Sequence, residues 1–260
     1  MIENLSLVVI AKNAEASIDK CLKSAAWIRH KIVVDSGSTD KTVEIARECG
    51  ATVIHQDWLG FGPQKKFAVM QAPTDWVLCL DTDEILTEEL SQSIQQLFLS
   101  DKPLADAYKI SRRNKFLGRY LRHGEGYPDW LTRLFDRRKA QYSDDPVHET
   151  VTGIDCPIHT EKLSGDLLHD PADSISYYID KRNRYTDIQA HLLVASGKRV
   201  TPIDIMFSPF FRFIKYFFFK GGILDGIPGF IYISFGCLEA YLKYIKAFSL
   251  QQKQDHAKKE

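Results

Sequence analysis

The sequence predicts an α/β protein with a mostly parallel sheet flanked by helices, followed by a helical extension at the carboxyl end. Through the first 90 residues, short apolar runs alternate with segments whose apolar residues recur at helical spacing. This alternation predicts parallel strands joined by right-handed crossovers. After residue 174 the helical spacing continues, and residues 207–220 are unusually aromatic.

Four apolar runs predict the strands of the parallel sheet, at residues 5–11, 32–34, 51–55 and 76–80. Helices are predicted between them, at residues 18–25, at residues 43–46 and after a loop at 60–63. Pro63 suits the first position of the third helix. Thr87, followed by two glutamates, predicts a fourth helix with a capping hydroxyl and acids in its first turn.

Two aspartates, Asp81 and Asp83, directly follow the fourth strand. Ligands bind at the carboxyl ends of strands in open α/β sheets. Neighbouring carboxylates repel each other unless a cation joins them, and oxygen ligands suit Mg²⁺ or Mn²⁺. A metal held by one or two acids completes its shell with substrate phosphates. The pattern therefore predicts a metal-diphosphate site at this edge.

Two other loops, at residues 11–15 and 35–40, are expected at the same edge. Asp35 could accept a hydrogen bond from a nucleobase, and Lys65 or Lys66 could neutralise phosphate. An ordinary capped turn is the alternative interpretation of residues 35–40. The sequence lacks the Gly-x-Gly-x-x-Gly and Walker motifs, which argues against dinucleotide-binding proteins and ATPases.

Beyond the parallel sheet, residues 107–113 alternate like an exposed-face strand, and residues 130–138 predict another strand. Residues 146–151 follow as a further candidate segment. Arg133 is expected either to brace a phosphate or to pair with Asp136 or Glu125. His169 follows a short apolar run late in this region.

Charge and cysteine content restrict the functional class. Lys plus Arg and Asp plus Glu both total 34, so the molecule has no overall bias towards nucleic acid. The five cysteines are scattered without Cys-x-x-Cys spacing, as expected for reduced thiols in a cytoplasmic protein. The amino terminus enters a strand at once and lacks the order of a signal peptide.

Three motifs at these separations, Lys12-Asn13-Ala14-Glu15, Asp35-Ser36-Gly37-Ser38-Thr39-Asp40 and Asp81-Thr82-Asp83, resemble those of inverting family-2 glycosyltransferases. That family has the Rossmann-like GT-A fold, and the resemblance covers about the first 170 residues. Ala14 replaces an acid found in many relatives, which leaves Glu15 as the matching acid. The resemblance implies a nucleotide-sugar site formed by Asn13, Glu15, Asp35, Ser36, Gly37, Lys65, Asp81, Thr82 and Asp83. It also implies Mg²⁺ or Mn²⁺ held by Asp81, Asp83 and His169.

A second pair of motifs, Trp130-x-x-Arg133-Leu134-Phe135 followed by Val147-His148-Glu149, resembles the lipopolysaccharide-core glucosyltransferases of Gram-negative bacteria. This resemblance implies a UDP-sugar donor, UDP-glucose, and a lipid-linked oligosaccharide acceptor, an inner-core heptose of lipopolysaccharide. It implies Glu149 as the catalytic base. Asp129, in Tyr127-Pro128-Asp129-Trp130, is the second candidate.

The carboxyl-terminal third predicts a helix at residues 174–195, ended by Gly197, and then the aromatic segment. On a helix the aromatic segment would gather five apolar residues on one face: Phe207, Phe210, Phe211, Ile214 and Phe218. Arg212 and Lys215 would lie on another. This composition predicts peripheral contact with the cytoplasmic face of the inner membrane through residues 204–247. A helical hairpin that closes the domain, or a dimer interface, is the alternative.

The apolar run at 226–238 has 13 residues, fewer than the ~20 needed to span a bilayer. Together the patterns predict a catalytic domain at 1–170, a helical extension at 171–250 and a charged, disordered tail at 251–260.

Three other functions fit part of the pattern. A polyprenyl-phosphate sugar synthase would use the same donor site but release a sugar-phospholipid. A sugar nucleotidyltransferase also places paired aspartates in an α/β sheet, but it usually carries a glycine-rich amino-terminal loop, which this sequence lacks. A non-catalytic nucleotide-sugar sensor would bind the donor without turnover.

Overall fold

The computed structural model describes residues 2–100, 104–144, 149–171 and 174–257. The chain forms two compact units. Unit 1 comprises Met1–Arg113 and Asp129–Asp170, and unit 2 comprises Asn114–Pro128 and Pro171–Glu260. Residues 114–128, which the sequence places in the first domain, therefore belong to unit 2.

The first half of unit 1 alternates strands and helices as the sequence predicts. Its elements are β1 (Ile2–Ala11), α1 (Ile18–Ser24), β2 (Ile28–Asp35), α2 (Thr42–Glu48), β3 (Thr52–His55), α3 (Phe61–Met70) and β4 (Trp76–Asp81). β1 pairs in parallel with β2 on one side and β4 on the other, and β2 pairs in parallel with β3. The predicted parallel sheet is confirmed for these four strands.

The register of β1 sets the geometry of the carboxyl edge. Ala11 pairs with Asp35 on β2, and Ile10 pairs with Asp81 on β4. Asp35 and Asp81 therefore end the two strands that flank β1, at nearly the same level. Core side chains such as Leu7 and Leu78 are completely buried, which fixes this register.

The third helix begins earlier than predicted. α3 starts at Phe61, so Phe61, Gly62 and Pro63 form its first turn, and the loop predicted at 60–63 is wrong beyond Gly60. Pro63 is tolerated there because the first N–H groups of a helix have no intrahelical partner. Gly60 precedes the helix with a φ of +98°, a conformation that favours glycine.

The second half of unit 1 is mostly antiparallel. The next elements along the chain are β5 (Glu84–Leu86), α4 (Glu88–Leu99), β6 (Ala107–Phe116), β7 (Arg119–Tyr120), β8 (Asp129–Asp136), β9 (Ala140–Tyr142), β10 (Val151–Gly153) and β11 (Thr160–His169). Of these, β7 and the last residues of β6 belong to unit 2. The sheet runs in the order β3-β2-β1-β4-β8-β6-β11-β5, while β9 and β10 form a separate antiparallel pair. β8 is antiparallel to both β4 and β6.

Three features of this half bear on the sequence predictions. The hydroxyl of Thr87 accepts from the Leu90 N–H at 3.3 Å, so the predicted cap of α4 is confirmed. β6 is not an exposed-face strand, because Tyr108 and Ile110 are buried where β6 lies between β8 and β11. The Pro146–His148 part of the 146–151 segment lies outside the described residues, and β10 begins at Val151.

The α-helices of the described part of unit 2 are α5 (Ile175–Ala195), α6 (Pro202–Ile214) and α7 (Gly226–Ala257). The predicted helix at 174–195 is confirmed, with Ser174 as its cap and Gly197 following at a φ of +78°. α6 continues as a π-helical turn, Lys215–Phe219, and a 3₁₀ turn, Gly222–Asp225, leads into α7.

α7 is much longer than the sequence indicated. The apolar run at 226–238 is only its first part, and among the described residues the helical stretch Gly222–His256 is long and apolar enough to cross a membrane, by length and composition alone. The prediction of a disordered tail from Gln251 is wrong as far as Ala257, the last described residue. Gln251 is buried and hydrogen-bonds the backbone of Lys198 and Val200, which orders this segment.

Candidate active site

The loops after β1 and β2 are joined by hydrogen bonds at the carboxyl edge. The Asn13 N–H donates to the Ser38 hydroxyl at 2.9 Å, and the Thr39 N–H donates to Asn13 Oδ1 at 2.9 Å. Asn13 has a φ of +50°, a left-handed conformation that asparagine tolerates. The Lys41 N–H, at the start of α2, donates to Glu15 Oε2 at 3.1 Å. Asn13 and Glu15 thus connect the two loops that the sequence places at one edge.

Asp35 is buried and closes its own turn. Its Oδ2 accepts from the Gly37 and Ser38 N–H groups, both at 3.0 Å, and its Oδ1 accepts from the Ser38 hydroxyl at 2.5 Å. This is the capped turn that the sequence left open as an alternative. Gly37, at a φ of +82°, permits the tight turn. Oδ2 thus accepts two hydrogen bonds, whereas Oδ1 accepts one and keeps a second lone pair, so the contact of Asp35 with a nucleobase stays a prediction.

Gln64 is a site residue whose contacts the sequence did not predict. It is completely buried in α3, and its Nε2 donates to the Ser36 hydroxyl at 3.0 Å and to the Gln56 carbonyl at 3.2 Å. The only sequence signal is an amide in the first turn of a helix that follows a glycine-containing loop. Gln64 ties α3 to the turn after β2.

Asp81 lies between two cations. Lys65 Nζ is 2.8 Å from Asp81 Oδ1, and Arg133 Nη2 is 2.5 Å from Asp81 Oδ2. Burial would raise the pKa of the Asp81 carboxyl, but the charges of Arg133 and Lys65 outweigh it and lower that pKa well below its usual range. The side chain of Lys65 is only 5% exposed. Asp81 is therefore an ionised carboxylate with both oxygens engaged by protein cations.

A series of ion pairs runs through Asp81 and links the two candidate bases, Glu149 and Asp129. Lys65 Nζ also donates to Glu149 Oε1 at 2.8 Å, and Arg133 Nη2 donates to the buried Glu84 at 2.6 Å. Arg112 lies 3.6 Å from Glu84 and 2.7 Å from Asp129. We call this series the ion-pair chain, and its members in order are Glu149, Lys65, Asp81, Arg133, Glu84, Arg112 and Asp129.

The partners expected for Arg133 are wrong. Asp136 pairs with Arg138, and Glu125 pairs with Arg212. Arg133 instead contacts Asp81 and Glu84, because β8 runs antiparallel beside β4 and Arg133 lies next to the Leu134–Leu78 pair, on the side towards the carboxyl end of β4. Lys65, expected to meet phosphate, is paired with two protein carboxylates.

Asp83 and His169 form a second, separate polar pair, with His169 Nε2 3.2 Å from Asp83 Oδ2. β11 pairs antiparallel with β5, and His169 lies opposite Glu84 in that register. This pairing places His169 close to the end of β4, although the two are far apart in sequence. Burial would raise the pKa of Asp83, but the hydrogen bond and charge of His169 lower it. Thr82 lies between the two aspartates and is half-buried.

The three predicted metal ligands, Asp81, Asp83 and His169, have different partners in this geometry. Within the described ranges, no three His, Cys, Asp or Glu side chains are grouped closely enough to hold one ion. Asp83 and His169 lie together, whereas Asp81 is occupied by Lys65 and Arg133. A carboxylate oxygen and an imidazole nitrogen, both partly exposed, fit a divalent cation such as Mn²⁺.

Comparison with known proteins places this site in a family. The family model of glycosyl transferase family 2 matches residues 6–154, which include the β1, β2 and β4 loops and Glu149. The chain belongs to glycosyl transferase family 2. An uncharacterised glycosyltransferase of Rickettsia prowazekii is 32% identical over 239 residues, 88% of this chain and 81% of its own length.

Two further similarities concern the whole chain. The lipopolysaccharide core biosynthesis glycosyltransferase LpsC of Rhizobium meliloti is 28% identical over 250 residues, 94% of this chain and 92% of that protein. The mannosyltransferase PcManGT of Pyrobaculum calidifontis, solved with GDP-Man and Mn²⁺, matches 98% of this chain and 88% of its own at a TM-score of 0.51 and 14% identity. The structural likeness shows the fold, which is the GT-A type expected from the sequence.

Proposed function

We propose that this family-2 glycosyltransferase transfers glucose from UDP-glucose, with inversion, to an inner-core heptose of lipopolysaccharide. The observation that carries the proposal is the carboxyl edge of β1, β2 and β4, where Asp35 and Asp81 end the two strands that flank β1 at nearly the same level. Similarity to the lipopolysaccharide core glycosyltransferase LpsC along nearly the whole chain favours this acceptor.

The donor would lie along the joined loops. The turn formed by Asp35, Ser36 and Gly37 would face the nucleoside, and Asn13 and Glu15 would keep the neighbouring loop in place through their backbone partners. The Asp81-Thr82-Asp83 turn would face the diphosphate. Lys65, already paired with Asp81, would add positive charge close to the diphosphate.

Asp83 and His169 would hold Mg²⁺ or Mn²⁺. When bound, such a cation neutralises the charge that a leaving diphosphate gains. Asp81 would keep Lys65 and Arg133 in place beside this pair rather than act as the third ligand, because both of its oxygens already accept from those cations.

Glu149 would take the proton of the acceptor hydroxyl as that oxygen attacks the anomeric carbon from the face opposite the diphosphate. Its contact with Lys65 at 2.8 Å orients the carboxylate next to the donor loops. Asp129, at the other end of the ion-pair chain and bonded to Arg112, is the second candidate.

A lipid-linked acceptor requires the enzyme to work at a membrane. We place the contact in residues 204–247, at the cytoplasmic face of the inner membrane. The support is the exposed aromatic side chains of α6, among them Phe207, Phe210 and Phe211.

A donor and acceptor screen tests the proposal. Nucleotide release is followed with several nucleotide sugars and with purified lipid-linked core oligosaccharides of defined length. We expect UDP release from UDP-glucose only when a heptose-ending acceptor is present, together with an oligosaccharide longer by one hexose. A sugar-phospholipid formed from polyprenyl phosphate would instead assign the chain to the synthases, and pyrophosphate release would assign it to the nucleotidyltransferases.

A further inference from the structure

The segment that runs from the end of α6 into the first turn of α7 exposes large apolar side chains. Phe219 is 82% exposed and Ile227 is 75% exposed, and Ile223 and Leu224 between them are also more than half exposed. We call residues 215–230 the α6–α7 turn. Contiguous exposed apolar surface of this kind marks an interaction site.

A second segment of unit 2, Asn114–Pro128, is hydrogen-bonded to this turn. The Gly124 N–H donates to the Lys220 carbonyl at 2.8 Å, and Arg119 donates to the Leu224 carbonyl at 3.2 Å. This segment begins with the hairpin of β6 and β7, whose tip residue Leu117 is itself 49% exposed. The hairpin therefore adds an apolar side chain and its own charges next to the α6–α7 turn.

Charge is distributed unevenly around these apolar groups. The exposed charged side chains of the two segments are basic: Arg119, Arg122, Lys215 and Lys220. The two acids that the segments contain face inward. Asp225 is buried and accepts from the Arg122 and His123 N–H groups at 2.9 and 2.8 Å, and Glu125 pairs with Arg212. An exposed apolar surface edged by cations matches a lipid surface with anionic headgroups.

The charged residues in the second half of α7 are not compatible with a membrane-spanning helix. Glu239 is midway along Gly222–His256, and it pairs with Arg182 of α5 and accepts from Gln189 at 3.2 Å. About two turns further on, Lys246 pairs with Asp187 of α5 at 2.7 Å. If α7 crossed a bilayer, these charges and the polar helix α5 would lie at its centre, where charged groups are costly.

The apolar part of α7 is also too short. From Gly226 to Leu238 the helix has 13 residues, or about 20 Å at ~1.5 Å per residue, against about 30 Å of hydrocarbon. The apolar part of α7 is therefore shorter than the hydrocarbon core and cannot cross it.

We propose that the α6–α7 turn, together with Leu117, enters a single leaflet of a membrane that carries anionic headgroups, and that α7 does not cross it. The basic side chains Arg119, Arg122, Lys215 and Lys220 contact the headgroups. The inference rests on the membrane contact of the proposed function, but it requires neither donor nor acceptor.

The test is sedimentation of the full-length protein with vesicles of phosphatidylcholine, with or without phosphatidylglycerol. Wild type binds the vesicles that contain phosphatidylglycerol, and added salt weakens this binding. Ile227→Asp and Phe219→Asp each lower binding about tenfold or more. Leu99→Asp, which changes an 80% exposed leucine of unit 1, binds like wild type.

The headgroup contribution is tested with a charge-matched pair. Lys215→Gln combined with Lys220→Gln weakens binding to phosphatidylglycerol vesicles by about 10- to 30-fold. Lys243→Gln combined with Lys253→Gln removes the same charge from the second half of α7 and leaves binding unchanged.

Three results would overturn the inference. Ile227→Asp could bind like wild type. Cysteines introduced at the two ends of α7 could be labelled from opposite faces of sealed native membrane vesicles, which would indicate a span. Wild type could bind no vesicle yet form oligomers that Ile227→Asp disrupts, which would make the turn an interface between copies of the chain. UDP release measured on the same preparations with a detergent-solubilised acceptor reports separately on the proposed function.

Discussion

Units 1 and 2 depart from the usual distribution of polar and apolar residues in opposite directions. Unit 1 buries charged side chains: Lys65 is 5% exposed and Glu84 is completely buried within the ion-pair chain. Unit 2 exposes the large apolar side chains of Phe219 and Ile227 to solvent. Burying charges costs desolvation, and exposing large apolar groups forgoes hydrophobic stabilisation. Each departure marks the part of the molecule where we place a ligand.

The largest effect is expected for Asp83→Ala in unit 1. Because this change removes the carboxylate paired with His169, we expect no detectable turnover and UDP binding that no longer responds to Mg²⁺ or Mn²⁺. Calorimetric titration with and without metal measures the second effect. Glu48→Ala, at an exposed acid of α2, is the control and should behave like wild type. Full turnover in Asp83→Ala would reject the cation site.

Glu149→Gln should lower turnover by about 10²–10⁴ while UDP binding is kept, because only the proton acceptor is lost. Steady-state kinetics with saturating donor measures the change. Asp129→Asn, at the other end of the ion-pair chain, is the matched comparison. If Asp129→Asn showed the large loss and Glu149→Gln did not, the base would be Asp129.

Two neighbouring lysines of α3, Lys65 and Lys66, allow the stability contribution of a buried charge to be compared with that of a more exposed one. Lys65→Met leaves the carboxylates of Asp81 and Glu149 without this cation, and breaking such a buried pair costs about 3–5 kcal/mol of unfolding free energy. Lys66→Met loses an exposed contact to Asp144 and should cost below about 1 kcal/mol. Urea denaturation measures both. Equal losses would mean that the ion-pair chain contributes no more than a surface contact.

The smallest effect on chemistry is expected from unit 2. Ile227→Asp should leave turnover on a detergent-solubilised acceptor unchanged and reduce turnover on acceptor embedded in vesicles about tenfold or more. Asp83→Ala should show the reverse pattern, with normal vesicle binding and no turnover. Loss of both properties in both variants would show that the two units do not divide these tasks.

The parallel half of the site was predictable from sequence because its information is local. Apolar runs ending in Asp35 and Asp81 predict parallel strands, and parallel strands bring their carboxyl ends to one edge. The Thr87 cap was predictable for the same reason, since a hydroxyl followed by two acids lies within one helical turn.

The antiparallel half depends on distant pairings that no local pattern specifies. The position of His169 beside Asp83 follows from β5, a strand of three residues, pairing with β11. The partners of Arg133 depend on β8 lying beside β4. The length of α7 was missed because its charged end is ordered by partners far away in sequence, such as Arg199 with Asp255 and Val200 with Gln251.

The most direct test of the site as a whole is the anomeric configuration of its product. Wild type is incubated with UDP-glucose and a heptose-ending core oligosaccharide, and the purified product is examined by proton NMR while UDP is quantified. A single displacement of the α-linked diphosphate predicts a β-glucoside and one UDP for each glucose transferred. An α-glucoside, or UDP release without an extended oligosaccharide, would contradict the proposed reaction.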